Sequence, residues 1–64
     1  MDKEVLKKLL NIKVQIINDE NFIKDGVITE VFENSISFFS NGKTYYLSFS
    51  RIKEIRPLGG QNDR

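Results

Sequence analysis

Ile36-Ser37-Phe38-Phe39-Ser40, Asn41-Gly42 and Lys43-Thr44-Tyr45-Tyr46-Leu47 follow one another directly, and this stretch decides the fold. Asn-Gly accepts positive φ at both central turn positions, which makes it the strongest short-range hairpin signal a sequence carries. Counting outward from the turn pairs Phe38 with Tyr45 and Ile36 with Leu47, so four large apolar side chains share one face. The same parity puts Phe39 and Tyr46 on the opposite face as diagonal neighbours. Phe49-Ser50-Arg51 then reads as a single helical turn leading into a last strand, Ile52-Lys53-Glu54-Ile55-Arg56. Pro57, which cannot donate to a ladder, stops it.

Upstream of the hairpin, residues 2–10 read as a short helix. Asp2 can cap it, Glu4 favours its positive start, and Lys7 and Lys8 favour its end. Val5, Leu6, Leu9 and Leu10 form one apolar stripe, and a helix this short must lie on something to persist. It is expected over one open end of the sheet. Ile12 to Ile17 alternates as a first strand, with Ile12, Val14 and Ile16 facing inward. Asn18 to Asn21 is a polar turn. Phe22 to Phe32 is a long second strand with Asp25-Gly26 inside it, and a glycine there marks a bend where the sheet curls on itself. Glu33-Asn34 is a second tight turn. One domain is expected over residues 1–58, followed by a flexible tail over 59–64.

A chain of 64 residues buries only about 60% of its unfolded surface, so its core is marginal. With no Cys and no His, disulfides and the usual transition-metal ligands are absent, and association is the remaining stabilising device. Ten basic residues against nine acidic ones give a net charge of +1, too balanced to attract nucleic acid by bulk electrostatics. The start Met1-Asp2-Lys3-Glu4 lacks the basic-then-apolar layout of a signal peptide. No apolar run approaches a membrane span. A cytoplasmic location is therefore expected.

The whole pattern resembles the Sm-like/SH3-like small barrels: the Sm and Lsm proteins, the RNA chaperone Hfq, and small uncharacterised barrels of Firmicutes. The residues that carry the resemblance are Leu9-Leu10 before Lys13-Val14, then Gly26-Val27-Ile28, Asn41-Gly42-Lys43-Thr44-Tyr45-Tyr46-Leu47, and Ile52-Lys53-Glu54-Ile55-Arg56-Pro57. It implies a mainly β fold: a short N-terminal helix followed by a five-stranded, strongly bent antiparallel barrel. It also implies a homo-oligomer in which the fourth strand of one subunit pairs with the fifth of the next, and RNA or single-stranded nucleic acid as ligand. Sm proteins bind uridine-rich RNA through an Asp…Asn pair after strand two and an Arg-Gly before the last strand. Here the first place holds Glu33-Asn34 and the second Ser50-Arg51 without the glycine; Ser48-Phe49-Ser50 replaces the Tyr-Lys-His stretch of Hfq. Only Asn34 and Arg51 lie near the family's positions.

Reading the residues themselves excludes little but points away from catalysis. Without His or Cys, a nucleophile would be a Ser or Thr activated by Lys or a carboxylate. Ser35, Ser37, Ser40, Ser48 and Ser50 are instead expected at turns or exposed strand positions, and neither enzyme activity nor a cofactor is expected. Asp19, Glu20 and Asp25 could offer oxygen ligands to a hard cation, but a polar turn is the preferred reading. The candidate nucleic-acid-binding residues are Phe39 and Tyr46 as a stacking platform, with Lys43 and Arg51 as phosphate contacts. The alternative is a protein-interaction or structural module in which the two rings serve a protein partner or pack under the helix. The placement of Lys43, Arg51, Lys53 and Arg56 separates the readings: convergence beside Phe39 or Tyr46 favours nucleic acid, and scatter or ion pairing disfavours it.

Overall fold

Positive φ at both Asn41 (54°) and Gly42 (82°) closes the hairpin as the Asn-Gly pair demands. In the computed structural model, which describes residues 2–58, the elements are α1 (Lys3–Lys7), β1 (Lys13–Asn18), β2 (Ile23–Val31), β3 (Ser35–Ser40), β4 (Lys43–Ser48), a 3-10 turn (Phe49–Arg51) and β5 (Ile52–Pro57). The tail expected over 59–64 lies outside the described residues.

All five strands form one antiparallel sheet in the order β4-β3-β2-β1-β5. The fold is mainly β with a short N-terminal helix. Expectation and structure part at closure: β4 and β5 are the outer strands and do not pair with each other, so the sheet is open rather than a closed barrel.

The β3–β4 register is the one counted from the turn, with Phe38 opposite Tyr45 and Ile36 opposite Leu47. Strand β2 serves two neighbours in turn. Ile23–Val27 pairs with β1, Val27–Val31 pairs with β3, and the change of partner falls at Val27, next to Gly26. Gly26 lies so close to β3 that an added Cβ would sit 2.1 Å from the Phe39 main-chain oxygen and 3.0 Å from Phe38 Cζ. Glycine is required here by close backbone approach and not by positive φ. A register shift between Ile28 and Glu30 adds a second irregularity at Thr29, which the sequence pattern does not announce.

The core consists of Leu6, Val14, Ile16, Ile28, Ile36, Phe38 and Ile52, with Leu9, Leu10, Val31, Tyr45, Leu47 and Ile55 among the half-buried residues packed against it. Helix α1 starts at the Asp2 cap, whose carboxylate accepts from the Glu4 N–H at 2.9 Å. It ends sooner than the apolar stripe suggests, and only Leu6 of the stripe is fully buried; Val5 is exposed. Ile12 is also exposed, contrary to its expected inward position. Asn11 adopts φ 62° and the Ile12 N–H bonds back to Leu9, so Ile12 belongs to the turn and β1 begins one residue later.

Two serines also differ from expectation. Ser37 and Ser40 are buried, not exposed. Ser40 donates to the Asp25 carbonyl at 2.6 Å, and Ser37 shares a 2.5 Å hydroxyl contact with Thr29. Both are satisfied polar groups that tie β3 to β2. Pro57 belongs to β5 instead of ending it, because it stands opposite Val14 where no ladder donor is required. The Leu58 N–H then bonds to the Lys13 carbonyl at 2.9 Å.

Candidate functional site

Strand parity sets out the four residues singled out from the sequence. Phe39 pairs with Thr44 and Tyr46 with Ser37, so the two rings lie diagonally on the face opposite Phe38 and Tyr45, 44% and 73% exposed. Helix α1 packs chiefly on β2, and both rings stay substantially exposed. Lys43 belongs to the other face, in line with Tyr45 and Leu47. Arg51 lies in the 3-10 turn beyond Ser48, at the far end of β4 from Lys43. Five strand steps of about 3.4 Å put Ser48 roughly 17 Å from Lys43 along the strand, and Arg51 follows in the turn beyond it. The structure thus brings Phe39 to Tyr46 and Tyr46 to Arg51, and leaves Lys43 apart.

Arg51 is also engaged. Its Nε donates to Asp19 at 3.1 Å and its second guanidinium nitrogen pairs with Glu20, while the Asp19 N–H bonds to the Arg51 carbonyl at 3.0 Å. The hydrogen bond to Asp19, followed by the charges of Asp19 and Glu20, raises the guanidinium pKa above its ordinary value. These contacts clamp the β1–β2 turn to the 3-10 turn. Asn18 shapes that turn from within: it is buried, and its Oδ1 accepts from the N–H groups of Glu20 and Phe22. Of the acids considered for a cation, Asp19 and Glu20 face Arg51, and Asp25 accepts from Gln15 Nε2 at 3.2 Å. Among the described residues no group of three or more acids is gathered as a metal site would need.

The remaining basic residues do not converge on the rings. Arg56 pairs with Glu54 at 2.6 Å on the β5 edge. Among the described residues, Lys43 and Lys53 enter no ion pair. Lys24 stands 5.6 Å over the Phe22 ring, which itself meets Tyr45 edge-on at 5.3 Å.

Two clefts flank the end of β4. A cleft of about 580 Å³ is lined by Lys3, Glu33, Asn34, Ser48, Phe49 and Ser50. It brings the turn after β2 against the turn after β4, held by the Phe49 N–H bonding to the Asn34 carbonyl at 2.9 Å. Sequence reasoning missed Lys3 and Phe49 here, since a meeting of residues 3, 33 and 49 has no local signal. Lys3 Nζ meets Glu33 Oε1 at 2.8 Å, and that hydrogen bond, then the ammonium charge, lowers the Glu33 carboxyl below its ordinary pKa. A depressed carboxyl adds stability above the normal carboxylate range and loses it as pH falls through its folded value. The stability gap between wild type and Glu33→Gln should accordingly be present at neutral pH and shrink as acid protonates the Glu33 carboxylate, as read by paired thermal melts. The second cleft, about 260 Å³, is lined by Asn18, Glu20, Tyr46, Leu47, Ser48 and Arg51 and runs along the open edge of β4.

No family model, curated protein or solved structure matches the chain. Among the described residues no helix is long and apolar enough to cross a membrane.

Proposed function

We propose that this chain is a non-enzymatic binding module that works in the cytoplasm and associates with copies of itself through the two open edges of its sheet. The observation that carries the reading is the strand order: β4 and β5 are both outermost, and each presents unpaired main-chain donors and acceptors. A small domain gains most from covering such edges, because its own core is marginal. The change of partner along β2 beside Gly26 supports the view of the chain as an Sm-like/SH3-like small barrel whose closure is completed between subunits. The ring implied by that resemblance, β4 against β5 of a neighbour, is one way of using these edges. Sedimentation equilibrium from low micromolar to near-millimolar concentration tests the reading. A mass rising above the 7.5 kDa monomer is expected, and a monomer throughout would overturn it.

RNA or single-stranded nucleic acid is the second reading. It is favoured by the exposed Phe39 and Tyr46 and by the meeting of Glu33-Asn34 with Ser48-Phe49-Ser50 around one cleft. It ranks second because the basic residues are scattered and two of them are ion-paired. Were it correct, uridine-rich or adenine-rich oligonucleotides would bind at low salt, with a salt slope near −0.7 per phosphate contact. Tyr46→Ala would then weaken binding at every salt concentration, and Lys43→Ala would chiefly flatten the slope. Absence of binding at low salt would remove this reading.

A further inference from the structure

We infer that the favoured partner of β4 is β4 of a second copy, paired antiparallel about a two-fold axis at Tyr46. The inference rests on the edge-association reading above and specifies which edge meets which. The two-residue turn makes Ser40 and Lys43 the hydrogen-bonded closing pair of the hairpin, and the ladder alternates from there. Thr44, Tyr46 and Ser48 consequently turn both their N–H and C=O groups toward the open edge, and all three residues are exposed.

The edge of β5 is less able to pair. The Leu58 N–H bonds to Lys13, so alternation turns Pro57 and Ile55 outward. Pro57 has no N–H to give. A register shift leaves Lys53 without a partner between Ile52 and Glu54, and this break carries a lysine. A proline, a bulge and a charged side chain are the devices that blunt edge strands. Strand β4 has none of them between Thr44 and Ser48.

Self-pairing about Tyr46 sets Thr44 opposite Ser48 of the second copy, Tyr46 opposite Tyr46, and Ser48 opposite Thr44. All the outward groups then match, giving about six main-chain hydrogen bonds. Pairing β4 with β5 of a neighbour forfeits bonds at Pro57 and at the bulge. Charge favours the same arrangement. Lys43 marks one end of β4, while the other end lies beside Asp19 and Glu20, two carboxylates against the single Arg51. Antiparallel pairing brings Lys43 of each copy toward the carboxylates of the other; parallel pairing would set the two lysines together. The cleft bounded by Asn18, Glu20, Arg51 and the Tyr46–Ser48 edge leaves room for the incoming Lys43–Thr44 segment.

The test exploits the fact that only a two-fold axis at Tyr46 places this residue opposite its own copy. Tyr46 is 73% exposed, so Tyr46→Lys and Tyr46→Glu are expected to retain the fold, which circular dichroism checks. Wild type should sediment as a dimer. Each variant alone, with like charges facing and the aromatic pair lost, should show a dissociation constant raised about tenfold or more. An equimolar mixture should restore a dimer holding one of each, read by native mass spectrometry. Variants that remain dimeric alone, or a mixture that fails to recombine, would overturn the inference. A closed ring of higher mass would overturn it while leaving the edge-association reading standing, and a monomer at every concentration would remove both.

Discussion

Phe38→Ala is expected to remove a large share of the protein's stability. Phe38 is fully buried, pairs with Ile28 on one side and Tyr45 on the other, and sits in the cluster with Val14, Ile16 and Ile36. Removing a buried Phe ring costs about 3–5 kcal/mol through lost transfer energy and the cavity left behind. A 64-residue domain has only about 3–10 kcal/mol of stability in all. Thermal or urea unfolding followed by circular dichroism measures the effect. A loss below about 1 kcal/mol would mean that the ring does not anchor the core as described.

Gly26→Ala is the second large effect, and it arises from a single added atom. The new Cβ would stand 2.1 Å from the Phe39 oxygen, and a main-chain oxygen held in a ladder cannot swing aside as a side chain can. Strands β2 and β3 must therefore separate where β2 changes partner. The expected cost is roughly 2–4 kcal/mol, against the 1–3 kcal/mol usual for overpacking. At about 4–8 °C per kcal/mol for a domain of this size, the melting temperature should fall by at least about 8 °C. An unchanged melt would show that β3 yields freely at Phe39.

Both residues were legible in the sequence because their signals are local. Asn41-Gly42 sets a two-residue turn, and a period of two then assigns every side chain of the hairpin to a face. That reasoning found the core pairs Phe38–Tyr45 and Ile36–Leu47 and the exposed pair Phe39 and Tyr46. Gly26 was legible as a break in strand chemistry, although its cause, contact with the Phe39 carbonyl, depends on a strand thirteen residues on.

The errors lie where long-range contacts decide. Ile12 fits the alternation of β1, yet Asn11 takes a left-handed conformation and withdraws it into the preceding turn. Ser37 and Ser40 look like surface residues until Thr29 and the Asp25 carbonyl supply their partners from β2. Arg51 reads as a cation available to a ligand, but Asp19 and Glu20, from the turn before β2, face it across the fold. Lys43 is near the exposed rings in sequence, but the parity counted from the turn assigns it to the other face. For Ser37, Ser40 and Arg51 the deciding partner comes from another part of the chain, which the local pattern cannot supply.

Amide hydrogen exchange along β4, followed as a function of protein concentration, addresses the association of the open edges most directly. In the isolated chain the N–H groups of Thr44 and Tyr46 point away from β3 and should exchange readily, while those of Tyr45 and Leu47 are protected by the hairpin ladder. Raising the concentration should slow exchange at Thr44 and Tyr46 and leave Tyr45 and Leu47 little changed. Rapid exchange at Thr44 and Tyr46 at every concentration would contradict association through this edge.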